Sequence, residues 1–238
     1  PYCVTAPSDA RLPCGGGYEI CGLYNISAAK FGQVSNLVTL ASEFGDDKEI
    51  FNGVDLSLNA RLPQGIVVQG GTSTGRTMTE NCFVIDSPES LRNCKVTPPF
   101  HTQVKLLAVY PLPWGGIQTS AAFQSLPGPM ISASRVFTNA EVAPSLGRNL
   151  GSGANGTVSV QLIDPGTMYG DRFNDLNFPL SKVFRLPGTR RIQANLDLFN
   201  MFNASAVLAQ NNNYGGSWLR PTNILQGRLV KFGGQVDF

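Results

Sequence analysis

"IVVQGGTSTGRT", residues 66–77, is the stretch on which the reading of this chain turns. It contains Gly71-Thr72-Ser73-Thr74-Gly75, which matches G-x-S-x-G, the nucleophile elbow of serine hydrolases. An elbow needs a strand, a strained turn that lifts the serine out, and then a helix. After Gly75 comes "RTMTENCFVIDSPES", which carries no amphipathic helical stripe. The single histidine, His101, lies in "PPFHTQ", and Ser73, Asp86 and His101 run in the order nucleophile, acid, base. They fall within about 30 residues, too cramped a span for a doubly wound sheet. The competing reading makes the stretch one wall of a β-structure. Ile66, Val68 and Gly70 then share one face, Gln69 and Ser73 the other, and the glycines permit bends. The flanking sequence favours the strand. No catalytic residue is assigned, and Ser73, Asp86 and His101 stand only as the alternative of a serine esterase.

Working outward, the same period of two recurs. "NGVDLSLNARL" sets Val54, Leu56, Leu58, Ala60 and Leu62 against Asp55, Ser57, Asn59 and Arg61. "TQVKLLAVY" sets Val104, Leu106, Ala108 and Tyr110 against Gln103 and Lys105, and "IQTSAAFQ" sets Ile117, Ala121 and Phe123 against Gln118, Ser120 and Gln124. "RIQANLDL" sets Ile192, Ala194, Leu196 and Leu198 against Gln193, Asn195 and Asp197. Such alternation argues for strands with one apolar and one polar face; no stretch shows a sustained helical period. Eight wall strands are predicted, at 37–44, 49–62, 66–77, 102–110, 117–126, 170–186, 191–202 and 223–238, with a further hairpin of 130–138 and 157–163 standing in a long loop. Short turns ("PQG", "PLPWGG", "PGTR") alternate with long polar segments at 78–101, 127–169 and 203–222, the rhythm of an outer-membrane barrel rather than of a soluble sandwich. Tyr110, Trp114 and Phe184 beside short turns, and Phe199, Phe202 and Trp218 toward the long loops, are candidates for the two aromatic belts.

Bulk properties agree. Of 238 residues, 42% are hydrophobic but only 14% charged, against roughly 25% charged in ordinary soluble domains. A net charge of +2 gives no reason to expect nucleic acid as a partner. No apolar run reaches the roughly 20 residues of a spanning helix, so any membrane is crossed by strands. The chain begins at Pro1 with no signal-like segment after it, which is expected of a mature product or an internal fragment. The five cysteines fall in two loop-borne clusters, as disulfides of an oxidising compartment do, and their spacing fits no zinc finger or ribbon. Cys82 and Cys94 are expected to pair. Among Cys3, Cys14 and Cys21 the pairing stays open, with Cys3–Cys21 the expected bridge and Cys14, in "PCGGG", the odd thiol. Asp46, Asp47, Asp171 and Asp175 lack the ligand spacing of a calcium loop and read as a solvated rim. No metal or cofactor is expected.

The chain ends "GRLVKFGGQVDF", with Val230, Phe232, Val236 and Phe238 alternating against Lys231, Gln235 and Asp237. A closing strand of this pattern with a final aromatic resembles the sorting signal of outer-membrane barrels. Together with "LDLFNMFNAS", "WLRPTNILQGRLVKFG", "VYPLPW" and "GANGTVSVQLIDP", it makes the whole chain resemble the end of TonB-dependent receptors, nearest to the Oar-like group with a carboxypeptidase-regulatory-like domain at its N-terminus. The resemblance implies an all-β fold, 1–238 forming a single antiparallel wall portion of a barrel of about 22 strands, without plug and N-terminal strands. It implies the bacterial outer membrane, with lipid bilayer, barrel-assembly machinery (through the C-terminal strand) and the rest of the receptor chain as partners. The implied function is uptake of a solute that no ligand motif identifies.

Overall fold

The computed structural model describes residues 1–83 and 88–238. Its elements run β1 (Tyr2–Thr5), β2 (Glu19–Leu23), β3 (Lys48–Arg61), β4 (Val67–Glu80), β5 (Lys95–Val96), β6 (His101–Pro111), β7 (Ile117–Leu126), β8 (Ser134–Thr138), α1 (Asn139–Leu146), β9 (Thr157–Gln161), β10 (Phe173–Arg185), β11 (Arg191–Phe199), β12 (Val207–Gln210), β13 (Pro221–Ile224) and β14 (Leu229–Asp237). The fold is all-β. Seven long strands form one antiparallel sheet in the order β14-β11-β10-β7-β6-β4-β3, with the two-residue β5 attached to β4. The sheet does not close into a barrel: β3 and β14 are open edges.

Three neighbouring pairs of the wall, β3–β4, β6–β7 and β10–β11, are joined by tight turns. Leu62 N donates to Ile66 O at 2.8 Å, Leu112 N to Ile117 O at 2.8 Å and Leu186 N to Arg190 O at 3.0 Å. In the first turn Gln64 takes φ 65°, an uncommon left-handed residue, with Gly65 at 79° behind it. These three turns share one end of the sheet, and the long connections leave from the other.

Seven of the eight predicted wall strands are present, and the eighth is not. Residues 33–40 are irregular and 41–43 form a 3-10 turn, with Leu37, Val38 and Leu40 exposed. "LVTL" is a continuous apolar run rather than an alternation, and it makes no ladder with the free edge of β3. The stretch 223–238 is divided, Pro221–Ile224 pairing with β12 and only Leu229–Asp237 joining the wall. The predicted loop hairpin is β8–β9. Between its strands lies α1, which the strand-period reading missed. Its signal was local: Thr138 N and Oγ1 both donate to Glu141 Oε2, at 2.9 and 3.0 Å, and Gly147 ends the helix at φ 75°.

The packed core does not belong to the sheet. Among the described residues the buried apolar cluster is Tyr2, Val4, Ala6, Leu12, Ile20, Leu23, Ile131, Ala133, Phe137, Val142, Leu150, Val160, Leu162, Ile163 and Trp218, none of them in a wall strand. It fills a loop-end cap made of the β1–β2 hairpin, the β8–α1–β9 unit and the 211–219 segment. Cross-links hold the cap together: Tyr18 Oη donates to Leu162 O at 2.6 Å, Cys3 N to Ser145 Oγ at 2.8 Å and Trp218 Nε1 to Ser132 O at 2.9 Å. Both expected disulfides, Cys3–Cys21 and Cys82–Cys94, are formed, and Cys14 is free and exposed.

Candidate functional site

The register of the sheet aligns the separate alternations on a common side. Leu58 lies opposite Gly70, Gly70 opposite Leu106, Leu106 opposite Phe123 and Phe123 opposite Leu176. Lower in the sheet, Tyr110 meets Thr119, Thr119 meets Leu180, Leu180 meets Leu196 and Leu196 meets Phe232. Directly opposed residues point to the same face, so every apolar set read from the sequence falls on one side. The other side carries Asp55, Ser73, Gln103, Lys105, Gln124, Asp175, Asn195 and Lys231. The apolar side is uncovered. Leu56 is 65% exposed, Phe232 80% and Phe238 92%. A soluble monomer seldom presents so broad an apolar patch to water.

That patch has edges. At the loop end, Thr74 and Thr102 share a hydroxyl hydrogen bond of 2.9 Å, Ser125 Oγ donates to Asn174 Oδ1 at 2.6 Å, and Arg172 Nε donates to Ser125 Oγ at 2.7 Å. Arg172 Nη2 reaches Thr102 O, and the Arg76 guanidinium lies 4.5 Å over the Phe100 ring. At the short-turn end stand Tyr110, Trp114, Phe184 and Phe238, all exposed. The loop-end belt expected from the sequence is altered. Phe202 is exposed, Phe199 ends β11 on the polar side, and Trp218 is buried in the cap at 2% exposure. Its indole hydrogen bond and the Arg11 guanidinium 5.1 Å over its ring account for the burial.

Within the cap, Asp9 accepts from Arg11 Nη2 at 2.7 Å and from Tyr214 Oη at 3.2 Å. The hydrogen bonds from Arg11 hold the Asp9 carboxyl far below the usual carboxylate range, and the Arg11 guanidinium is correspondingly raised. Glu141 is lowered chiefly by the Thr138 backbone N–H.

The residues of the esterase alternative have definite places. Gly71–Gly75 lies in the middle of β4, an uninterrupted fourteen-residue strand, with no turn or helix at Ser73. Its glycines have steric reasons. A Cβ on Gly71 would press into Leu56 O, and one on Gly75 would come 2.5 Å from the tip of the Phe51 ring. Ser73 faces Asp55 and Gln103 across the ladder, while His101 faces Gly75, one pair further along the same side. Among the described residues no hydrogen bond joins Ser73 to His101. The His101 ring instead meets Tyr169 edge-on at 4.2 Å, and its Nε2 is buried without a partner. Asp86 lies outside the described residues.

Of the carboxylates expected as a solvated rim, Asp46 pairs with Lys48 at 3.0 Å and Asp171 is exposed. Asp175 departs from that expectation: it is buried, at 6% exposure. No cluster of three or more His, Cys, Asp or Glu side chains gathers among the described residues. Two asparagines also gained a role that the pattern did not announce. Asn200, at φ 48° and 3% exposed, donates to Ala204 O and Gln226 O, both at 2.8 Å, and accepts from Ala204 N at 2.9 Å. Asn177 Oδ1 accepts from Asn200 N at 3.0 Å. For Asn200 the signal available was its place in "FNMFN", since asparagine tolerates left-handed turns; nothing local marked Asn177.

No protein-family model, curated protein or solved structure matches this chain.

Proposed function

We propose that this chain is a lipid-facing wall segment of an outer-membrane β-barrel, the C-terminal part of a TonB-dependent receptor, whose long loops form the outer vestibule for an imported solute. One observation carries the reading: seven strands place their apolar sets on a single uncovered face, while the packed core sits apart in the loop-end cap. A water-facing sheet with that face bare would expose apolar surface at about 25 cal/mol per Å². In hydrocarbon the same face costs nothing, provided every backbone group is paired. Strand length agrees. β11 and β14 have nine residues each and β3 and β4 fourteen, where a tilted spanning strand needs about 9–11. The open edges of β3 and β14 are where the rest of the receptor wall would pair, and β14 is the strand offered to the assembly machinery.

Single cysteines at positions 56, 57, 58 and 59, introduced in a Cys14→Ser background of vesicle-inserted protein, test this with a membrane-impermeant maleimide. Labelling at 57 and 59 with protection at 56 and 58 is expected. Equal labelling at all four positions refutes a lipid-facing wall.

A further inference from the structure

Two arginines stand at the loop-end rim of the apolar side with no carboxylate to answer them. On β4 and β6, Thr74 faces Thr102 and Gly75 faces His101, which carries Arg76 alongside Phe100 on the side of the two threonines. The Arg76 guanidinium lies 4.5 Å over the Phe100 ring. Of its nitrogens only Nε is buried, and among the described residues no hydrogen bond engages the two terminal ones. Arg172 is exposed; it spends Nε on Ser125 Oγ at 2.7 Å and Nη2 on the carbonyls of Thr102 and Ser125, which leaves Nη1 free. Thr102, which Arg172 touches, is two residues from Phe100, about 7 Å along the strand. Neither arginine forms an ion pair among the described residues, and Asp171, beside Arg172 in the chain, makes none. The Thr74 and Thr102 hydroxyls, bonded to each other at 2.9 Å, have one proton left to donate. The rim therefore offers two positive charges and hydrogen-bond donors to whatever lies against it.

Next to this rim the same two strands border a groove of about 430 Å³, with Leu56, Leu58, Gly70 and Leu106 in its lining. The register accounts for it. Gly70 stands between Leu58 and Leu106 in the cross-strand row and brings no side chain, so the row is notched there. Thr72 and Val104 also line the groove, and they are the opposed pair next to Thr74 and Thr102, about 7 Å down the strands. A cationic donor cluster and an apolar slot thus follow one another along the β4–β6 ladder. We infer that together they bind one phosphorylated lipid, its phosphate on Arg76, Arg172 Nη1 and the threonine hydroxyls and one acyl chain along the groove. Guanidinium groups take phosphate oxygens through charge-assisted hydrogen bonds. An arginine facing mid-membrane is costly, but at the interface the cost nearly vanishes. The site presupposes the lipid-facing reading of this side and adds to it the headgroup chemistry that the wall selects.

The test uses the receptor of which this chain would be the C-terminal part, folded into phosphatidylcholine vesicles that also hold phosphatidic acid or diacylglycerol of the same chains. Native mass spectrometry after detergent extraction counts the lipid retained. Wild-type protein should prefer phosphatidic acid to diacylglycerol about tenfold to a hundredfold, the margin of a hydrogen bond to a charged group. Arg76→Gln gives up no hydrogen bond within the described residues, so it leaves the fold intact and should erase most of that preference. Thr72→Trp, on the lipid side of β4, fills the slot and should lower retention of both lipids. Equal retention of the two lipids by the wild-type protein overturns the inference, and so does a preference that survives Arg76→Gln. Retention unchanged by Thr72→Trp overturns the acyl slot, and displacement of phosphatidic acid by inorganic phosphate at matched concentration marks a site for free phosphate instead. The maleimide pattern at positions 56–59 reports the lipid-facing reading separately. Protection at 56 and 58 without a phosphatidic acid preference overturns this inference alone.

Discussion

Replacing Leu58 with arginine, beside the same replacement at Asn59, separates a membrane wall from a soluble sheet. The two residues are neighbours on β3 but point to opposite sides: Leu58 lies in the apolar row with Gly70, Leu106 and Phe123, Asn59 opposite Gln69. Leu58 is mid-height in the apolar band, between the Thr74–Thr102 rim and the short turn at Gln64. Arginine on the lipid side near mid-membrane costs about 2–4 kcal/mol, and lumen-side substitutions far less. That is about 30- to 700-fold in the folding equilibrium, at 1.4 kcal/mol per factor of ten. In water the same substitution is nearly free. Leu58 is already 55% exposed, and surface changes of that kind fall within about 0.5 kcal/mol. Urea titration of the receptor of which this chain would be the C-terminal part, folded into phosphatidylcholine vesicles and followed by fluorescence, measures the difference. Leu58→Arg should lower stability by several times the effect of Asn59→Arg. Equal midpoints for the two variants would remove the argument for a lipid-facing side.

Alkylation without reductant should modify Cys14 alone, and non-reducing peptide mapping should recover Cys3–Cys21 and Cys82–Cys94 as linked pairs; loops of this size stabilise by about 3 kcal/mol. Because the Asp9 carboxyl is depressed in the folded cap, its contribution is complete above the unfolded value of about 4 and is lost as pH falls through and below it. Fluorescence of the neighbouring Trp218 should therefore report cap loosening in acid, and Asp9→Asn should flatten that part of the profile. Gly71→Val should destabilise the wall by at least about 1–3 kcal/mol, the usual cost of overpacking, because a backbone carbonyl rather than a flexible side chain stands in the way. Ser73→Ala, two residues on, should leave the urea midpoint within about 0.5 kcal/mol.

What the chain's own sequence determined was local. A period of two is written in consecutive residues, so the apolar and polar sides of β3, β6, β7, β11 and β14 could be read before any pairing was known. The tight turns came from Gly and Pro, and the bridge between Cys82 and Cys94 from a short polar loop. Even α1 was written locally, in Thr138 and Glu141, and was missed only because one eight-residue helix leaves little periodic trace. Tertiary structure decided whatever depends on partners distant in the chain. The run at 37–44 reads as apolar, but a strand exists only where a second strand supplies hydrogen bonds. Trp218 looks like a rim aromatic until Ser132 and Arg11, 86 and 207 residues away, enclose it. Asp175 looks like one more solvated acid until the β7–β10 ladder brings Gln124 alongside it and leaves it at 6% exposure. Direction along a strand is a property of neighbouring residues; burial is a property of what the fold brings to lie against them.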